Sequence, residues 1–246
     1  MRLDQALVDQ GLCASREKAQ RAIMAGQVRI NGHPARKASD PVKPHDQIEL
    51  LAPEKFVSRG GLKLEQAIRH FALDVTGVTA VDLGASTGGF TDCLLQYGAK
   101  QVYAVDVGQG QLAWKLRQDP RVVVMEKTNA RRLTPSAFPP PFLPVDLAVV
   151  DCSFISLTKI LPAAIGLVRT GGRVVALIKP QFEAGKTEVD RGKGVITDPA
   201  VHQRVIRELE DFVSNIDGTR WLGVTESPVL GPAGNKEFLT LIEKVC

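Results

Sequence analysis

The sequence predicts an α/β protein: a doubly wound parallel sheet preceded by a small module of two helices and a hairpin. Three observations carry that expectation. From Phe56 onward, short apolar runs alternate with helical patterns, as they do when helices cover both faces of a parallel sheet. Before that point the apolar spacing is helical and then breaks into a strand that ends at Asn31-Gly32, the strongest short hairpin signal. Between the two stands Leu51-Ala52-Pro53-Glu54-Lys55, where Pro53 disfavours helix in the residue before it. The expected division is a module over residues 1–51, a linker over 52–57 and a larger domain over 58–246.

Each element follows from its own pattern. Leu3, Ala6 and Leu7, then Ala14, Ala19, Ala22 and Ile23, give two short helices separated by the breaks at Gly11 and Ser15. Gln27 to Gly32 is a strand with its turn, and Asp46 to Leu50 alternates as the closing strand. Ser58 is placed to cap a helix through Leu62, Leu64, Ala67 and Ile68. Strands are expected at Thr79 to Gly84, Gln101 to Val107, Val122 to Glu126, Val145 to Asp151 and Arg173 to Ile178, and a helix at Phe90 to Tyr97. Asp198-Pro199 opens a strongly periodic helix over Val201 to Val213, since proline is favoured in the first turn. Trp221 to Thr225 and Phe238 to Ile242 form a last strand pair.

Composition narrows the classes of function. With 44% apolar and 24% charged residues over 246 positions, the chain is neither disordered nor fibrous. The longest apolar run, Ile160 to Val168, is interrupted by Pro162 and is too short for a bilayer, and Met1 to Gln5 lacks the order of a secretory signal. Cys13, Cys93, Cys152 and Cys246 show no paired or metal-type spacing, which fits a reducing cytoplasm and no zinc. The excess of 31 Lys+Arg over 27 Asp+Glu is mild, so the distribution of charge says more than its sum.

Asp82-Leu-Gly-Ala-Ser-Thr-Gly-Gly-Phe90 sits where the first buried strand turns into a helix, the place at which open α/β sheets bind ligands. Its glycines are not spaced as G-x-G-x-x-G and no Gly-Lys-Ser/Thr follows, which disfavours a diphosphate. The next strand ends in Asp106, whose carboxylate can accept hydrogen bonds from ribose hydroxyls. Loop and carboxylate together describe an adenosine pocket, and the missing phosphate lysine favours S-adenosylmethionine over NAD or ATP. Asp82, Gly84, Ala85, Ser86, Thr87, Gly88, Gly89 and Phe90 are the expected loop contacts, with Asp82 facing a cationic group. Asp106 completes the pocket, Asn129 lies beside the adenine, and Asp151 serves both cofactor and chemistry.

Charges directly after apolar strands are costly unless paired. Asp151 and Lys179 each follow such a strand, Glu237 precedes the last one, and Lys63 lies on the first helix of the large domain. Together they place two lysines and two carboxylates near one rim, a cluster able to hold and deprotonate a hydroxyl. Taken singly, Asp151 also reads as a helix cap and Lys179 as a solvated strand end.

These segments carry a resemblance. Phe56-Val-Ser-Arg-Gly-Gly-Leu-Lys-Leu64, the Asp82 to Phe90 loop, Val150-Asp-Cys-Ser-Phe-Ile-Ser-Leu157, Ile178-Lys-Pro-Gln-Phe-Glu183 and Gly231-Pro-Ala-Gly-Asn-Lys-Glu237 resemble the TlyA family of ribosomal RNA methyltransferases over essentially the whole chain. That family has also been labelled hemolysin A, and its catalytic domain resembles the FtsJ group of ribose 2′-O-methyltransferases. The resemblance implies a Rossmann-like S-adenosylmethionine-dependent methyltransferase sheet with a small N-terminal α+β S4-type RNA-binding domain. It implies a Lys-Asp-Lys-Glu tetrad at Lys63, Asp151, Lys179 and Glu237, with Lys179 deprotonating or orienting the hydroxyl. Glu226 is a rival for the last place, but Glu237 stands in the Gly-Asn-x-Glu motif. Cytidine in ribosomal RNA is the implied target, with ribosomal RNA or ribosomal subunits as partners.

Leu3-Asp4-x-Ala6-Leu7, Ser15-Arg16-x-x-Ala19 and the Gly26 to Gly32 turn are similar to the S4 domain. Arg2, Arg16, Lys18, Arg21, Arg29, Arg36 and Lys37 are its expected phosphate contacts, positioning RNA without reading its sequence. In the large domain Arg59 is a further expected RNA contact, and Glu183 to Asp198 reads either as a mobile basic loop whose Arg191 and Lys193 close over RNA or as a merely exposed loop. Two rival functions are a non-catalytic RNA-binding assembly factor, which would bind RNA without transferring methyl, and a membrane-active hemolysin, for which no spanning segment, amphipathic hairpin or secretion signal is present.

Overall fold

The structure, a computed structural model, describes residues 1–51 and 55–246; residues 52–54, the first half of the expected linker, and the side chain of Arg191 lie outside the described residues. The chain forms two compact units, Met1–Lys55 and Phe56–Cys246.

In the first unit α1 (Leu3–Asp9) and α2 (Arg16–Met24) precede β1 (Val28–Ile30), β2 (His33–Pro34) and β3 (Ile48–Leu50), in sheet order β2-β1-β3. Ser15 caps α2 by accepting from the Lys18 amide. Asn31 and Gly32 both have positive φ, which is the conformation that a two-residue hairpin turn demands. Leu3, Leu7, Ala19, Ile23 and Val28 form the core beneath.

The second unit runs α3 (Gly60–His70), β4 (Thr79–Leu83), α4 (Gly89–Gln96), β5 (Gln101–Val105), α5 (Trp114–Arg117), β6 (Val122–Met125), β7 (Val145–Val150), α6 (Leu161–Leu167), β8 (Val168–Ile178), α7 (Pro180–Glu183), α8 (Lys186–Arg191), α9 (Pro199–Ser214), β9 (Thr219–Glu226) and β10 (Phe238–Lys244). Its seven strands are ordered β6-β5-β4-β7-β8-β10-β9. Alternate residues of each central strand feed opposite cores: Val174, Ala176 and Ile178 join α6 and α9, while Val175 and Leu177 join α3 and α4. A strand buried on both faces must be apolar throughout, which is why these runs lack polar alternation.

Four expectations change. The sheet is not wholly parallel, since β10 runs antiparallel to both neighbours. Ser58 does not cap α3; Arg59 occupies that position in helical conformation with no side-chain cap, and Ser58 gives its carbonyl to the Gly61 amide. β8 begins at Val168 rather than Arg173, because Val168 already pairs with Val145 of β7; the strand is irregular between them, with Gly171 at φ +75 and a register shift against β7. Glu183 to Asp198 is not a simple loop: it holds α8, where Glu188 bonds back to the Gly185 amide at 3.1 Å and pairs with Arg204 at 2.6 Å.

Candidate active site

Parallel strands deliver their last residues to one rim, so Gly84 after β4, Asp106 after β5, Asp151 after β7 and Lys179 after β8 are gathered there. The reversed β10 adds its first residues to the same rim: Phe238 is registered against Ile178, which sets Glu237 beside Lys179 in the lattice of the sheet. Lys63 arrives on the first turn of α3. The four charged residues line one cleft of about 560 Å³.

They form two ion pairs within it. Lys63 Nζ lies 2.5 Å from Glu237 Oε2, and both residues are almost fully buried. Lys179 Nζ lies 2.6 Å from Asp151 Oδ1 and also donates to Ser153 Oγ at 2.9 Å and to the Cys152 carbonyl at 3.1 Å. Removing such charges from water costs several kcal/mol per ion in order of magnitude, so stability alone is a weak reason to keep them. Glu226 is excluded as the fourth member. It ends β9 on the same rim, but its side chain is exposed and holds Lys236 at 3.0 Å.

A second cavity of about 560 Å³ adjoins the first and shares Gly84, Ser86, Asp151, Ser153 and Phe154 with it. Asp106, Gln111, Thr128 and Asn129 supply its polar wall, and Val105, Val107, Ile155 and Ile160 its apolar one. Asp106 accepts from the Ser86 amide at 2.8 Å and the Gly108 amide at 2.6 Å, leaving lone pairs on both oxygens for ribose hydroxyls. Asn129 uses its oxygen to cap the turn at Arg131 and keeps its amide NH2 for the cavity. Gly84 has φ +88, and a Cβ there would stand 2.8 Å from the Asp151 carbonyl, so the close approach of loop and strand requires glycine. Ala85, Ser86, Thr87, Gly89 and Phe90 line the first cleft. A nucleoside fits this donor set, and among the described residues no basic side chain lines the second cavity for a diphosphate.

Two expected cofactor contacts are corrected. Gly88, at φ +96, lines neither cavity; a Cβ there would meet Leu116 and Leu112, so it serves the packing of α5 against the loop. Asp82 points away from both cavities, is fully buried, and accepts from the Thr91 amide at 3.0 Å and hydroxyl at 2.7 Å. Its role is to hold the first turn of α4 to β4. Burial pushes its carboxyl up to about 7, against the lowering by Thr91 and with a further rise from Asp151. Between about pH 4, the ordinary carboxylate value, and pH 7, the unfolded chain has lost this proton while the folded chain retains it, so stability falls as pH rises through that window. Asp82→Asn is expected to flatten that slope in urea unfolding at about pH 5 and pH 7.5. An unaltered slope would show that Asp82 titrates like an ordinary aspartate.

Four residues without an assigned role in the sequence reading contribute. Ser153 is the third ligand of Lys179. Glu183 is mostly buried and accepts from Ser156 Oγ at 2.6 Å and the Leu157 amide at 2.8 Å, tying the turn after Lys179 to the loop after Asp151; burial raises its carboxyl. Asn235 is buried and clamps the segment after α8 with both ends of its amide, accepting from Ile196 and donating to Gly194. Phe154 is 90% exposed, has φ +63 and stands at the mouth of both cavities with its ring 5.1 Å from Phe182. Only the last carries a local signal, an aromatic after a strand-ending Asp; the other three are defined by partners far away in sequence. The Cys152 thiol is pushed up to about 12 by burial, which leaves no thiolate nucleophile here.

The expected RNA contacts divide by unit. Arg59 lines the first cleft and Lys193 is exposed after α8. In the first unit the seven expected contacts are exposed, but Arg2 and Arg16 both bond the buried Asp4, which with Gln20 they hold well below the usual carboxylate range, and Arg21 pairs with Glu17. Lys18, Arg29, Arg36 and Lys37 complete the set on that unit. Among the described residues no group of three or more His, Cys, Asp or Glu stands where it would hold a metal ion, and no helix is long and apolar enough to cross a membrane.

A family model for FtsJ-like methyltransferases matches residues 56–244, all but the last two residues of the unit that carries both cavities, and one for the S4 domain matches residues 1–48. The chain belongs to the FtsJ-like methyltransferases. Its relatives place it in the TlyA line of that family. It is 46% identical to the 16S/23S rRNA (cytidine-2′-O)-methyltransferase TlyA of Mycobacterium tuberculosis (strain ATCC 25618 / H37Rv), over 96% of this chain and 87% of that one. YqxC of Bacillus subtilis (strain 168), provisionally named an rRNA methyltransferase, is 49% identical over 97% of this chain and 84% of its own. A solved chain from Streptococcus thermophilus, provisionally described as a hemolysin, superposes with a TM-score of 0.75 at 44% identity, covering 99% of this FtsJ-like chain and 88% of that chain.

Proposed function

We propose that this FtsJ-like methyltransferase moves the methyl group of S-adenosylmethionine to a ribose 2′-hydroxyl of ribosomal RNA, at cytidine, acting in the cytoplasm. The observation that carries the reading is the junction of the two cavities at Asp151: one wall suits a nucleoside and the other holds a lysine against the place where a hydroxyl would stand. The relative from Mycobacterium tuberculosis is named for that reaction and that nucleoside.

The cofactor would rest on Gly84, Ser86, Asp106 and Asn129, and its sulfonium supplies an electrophilic methyl group, so the protein need not activate a carbon centre. A ribose hydroxyl is a poor nucleophile at neutral pH, and the protein's task is to align it and take its proton. Lys179 Nζ is held by Asp151, Ser153 and the Cys152 carbonyl as an ammonium; with one of its protons passed to Asp151 it becomes the amine that takes the hydroxyl proton. Lys63 and Glu237 hold the opposite wall and set the charge that the substrate meets. Arg59 at the cleft and the basic residues of the S4 unit, Arg2, Arg16, Lys18, Arg21, Arg29, Arg36 and Lys37, contact phosphates, and the exposed Lys193 after α8 does so too.

Phe154 supports a nucleic-acid substrate, since an exposed ring at a site mouth offers a face to an unstacked base. Phe154→Ala is expected to raise the KM for RNA about ten-fold, base stacking on an aromatic side chain being worth ~1–3 kcal/mol, with cofactor affinity unchanged. Equal KM values would remove the ring from the RNA path.

The reading is tested by transfer of labelled methyl from S-adenosylmethionine to purified ribosomal subunits and to naked ribosomal RNA. Incorporation into either supports it. RNA binding and cofactor binding without incorporation would leave the chain as an assembly factor.

A further inference from the structure

Beyond the ion pairs, the first cleft contains a polar group that the chemistry above does not use. Gln181 lines it, two residues after Lys179, and its Oε1 is buried with no hydrogen-bond partner. Leaving a buried amide oxygen unpaired costs free energy, so an acceptor kept in this state on a side chain that lines the cleft is one that a donor entering the cleft satisfies once the amide turns toward it. The only other unpaired acceptor in that cleft, among the described residues, is Glu237 Oε1, whose second oxygen already holds Lys63. Gln181 has no such structural employment.

Its surroundings narrow what the donor is. Gln181 stands in α7 directly before Phe182, whose ring faces Phe154 across 5.1 Å, so an apolar wall and an amide edge share one cleft with Lys179. Stacking on an aromatic wall combined with hydrogen bonds to a base edge is how proteins read a single splayed nucleotide. With the oxygen inward, the amide accepts from a base amino group and offers its NH2 to an adjacent ring nitrogen. Cytosine has that pair in its 4-amino group and N3. Uracil presents O4 and N3–H, which meets this orientation acceptor to acceptor and donor to donor, so the preference for cytosine holds as long as the amide keeps its oxygen toward the 4-position.

We infer that Gln181 is the residue that reads the 4-amino edge of the target cytosine. The inference rests on the ribosomal RNA methyltransferase reading and deepens it, giving the cytidine preference a place in this chain's own residues. Gln181 is a specificity residue and has no part in proton transfer.

The test uses the full chain and two transcribed ribosomal RNA substrates that differ only by cytidine or uridine at the methylated position. Wild type is expected to favour cytidine by roughly ten- to a hundred-fold in kcat/KM, the range of one good bidentate base contact. Gln181→Met, close in shape but without the amide, is expected to lose that factor on cytidine and nothing on uridine, with affinity for S-adenosylmethionine unchanged. Gln181→Glu keeps the acceptor and loses the donor, so it is expected to fall between the two and serves if the methionine variant folds poorly. A cytidine preference that survives both substitutions overturns the inference. So does a loss of cofactor affinity with the preference intact, which would assign the amide to the cofactor. Absence of transfer by wild type to either RNA would overturn the underlying reading as well, a result distinct from transfer that ignores Gln181.

Discussion

Lys179→Met is expected to lower kcat by about 10²–10⁴-fold, the usual share of a positioned general base or acid, while the protein folds and binds S-adenosylmethionine with nearly unchanged affinity. Lys179 is almost buried at the end of β8, and its nitrogen reaches Asp151, Ser153 and the Cys152 carbonyl together, so its loss leaves all three without this donor. Methionine fills the stem of the side chain and removes the nitrogen. Asp151 is left without its partner, but its side chain is 23% exposed and water reaches it, so the cost in stability is small beside the cost in rate. Lys179→Arg is expected to be as inactive, because a guanidinium neither fits a site built around one nitrogen nor accepts a proton at neutral pH. Single-turnover rates with calorimetric cofactor binding check both variants. Retention of the wild-type rate by Lys179→Met would remove Lys179 from the chemistry.

Glu237→Leu is expected to have the largest effect on stability. Its partner Lys63 is 7% exposed and would keep its charge inside the protein with nothing opposite it. Breaking a buried pair from one side costs ~3–5 kcal/mol, whereas replacing both members by apolar groups is often neutral. The double variant Lys63→Met/Glu237→Leu is therefore expected to recover most of the urea midpoint that the single variant loses. It is expected to remain a poor methyltransferase, since the charged wall of the cleft is gone. A double variant that recovers stability and activity together would show that this pair is architecture alone.

Much of this site was legible in residue order, because parallel strands end on one rim and a charge placed directly after an apolar run marks that rim. Asp151 and Lys179 were found in this way, and the Asn31-Gly32 turn was legible because only one kind of hairpin suits it. Choosing Glu237 over Glu226 required a motif in the sequence, whereas in the structure the choice is physical: the two residues bracket the β9–β10 pair, and only one faces inward. The glycine-rich loop shows where local reading stops. Gly84 and Gly88 look alike in sequence, yet one opens the cavity and the other admits Leu112 and Leu116. Asp82 has the look of a ligand because it opens the loop, but strand alternation turns it toward Thr91. Glu183 and Asn235 act across 26 to 41 positions of sequence, and no local pattern announces a partner that distant.

Methyl transfer in this cleft is expected at a ribose oxygen rather than at a base. The most direct measurement is digestion of enzymatically methylated ribosomal RNA to nucleosides, with mass spectrometry locating the added methyl on sugar or base. The expected product is 2′-O-methylcytidine, absent when Lys179→Met replaces the wild type. A methyl group on a ring carbon or ring nitrogen, formed equally well by that variant, would contradict it.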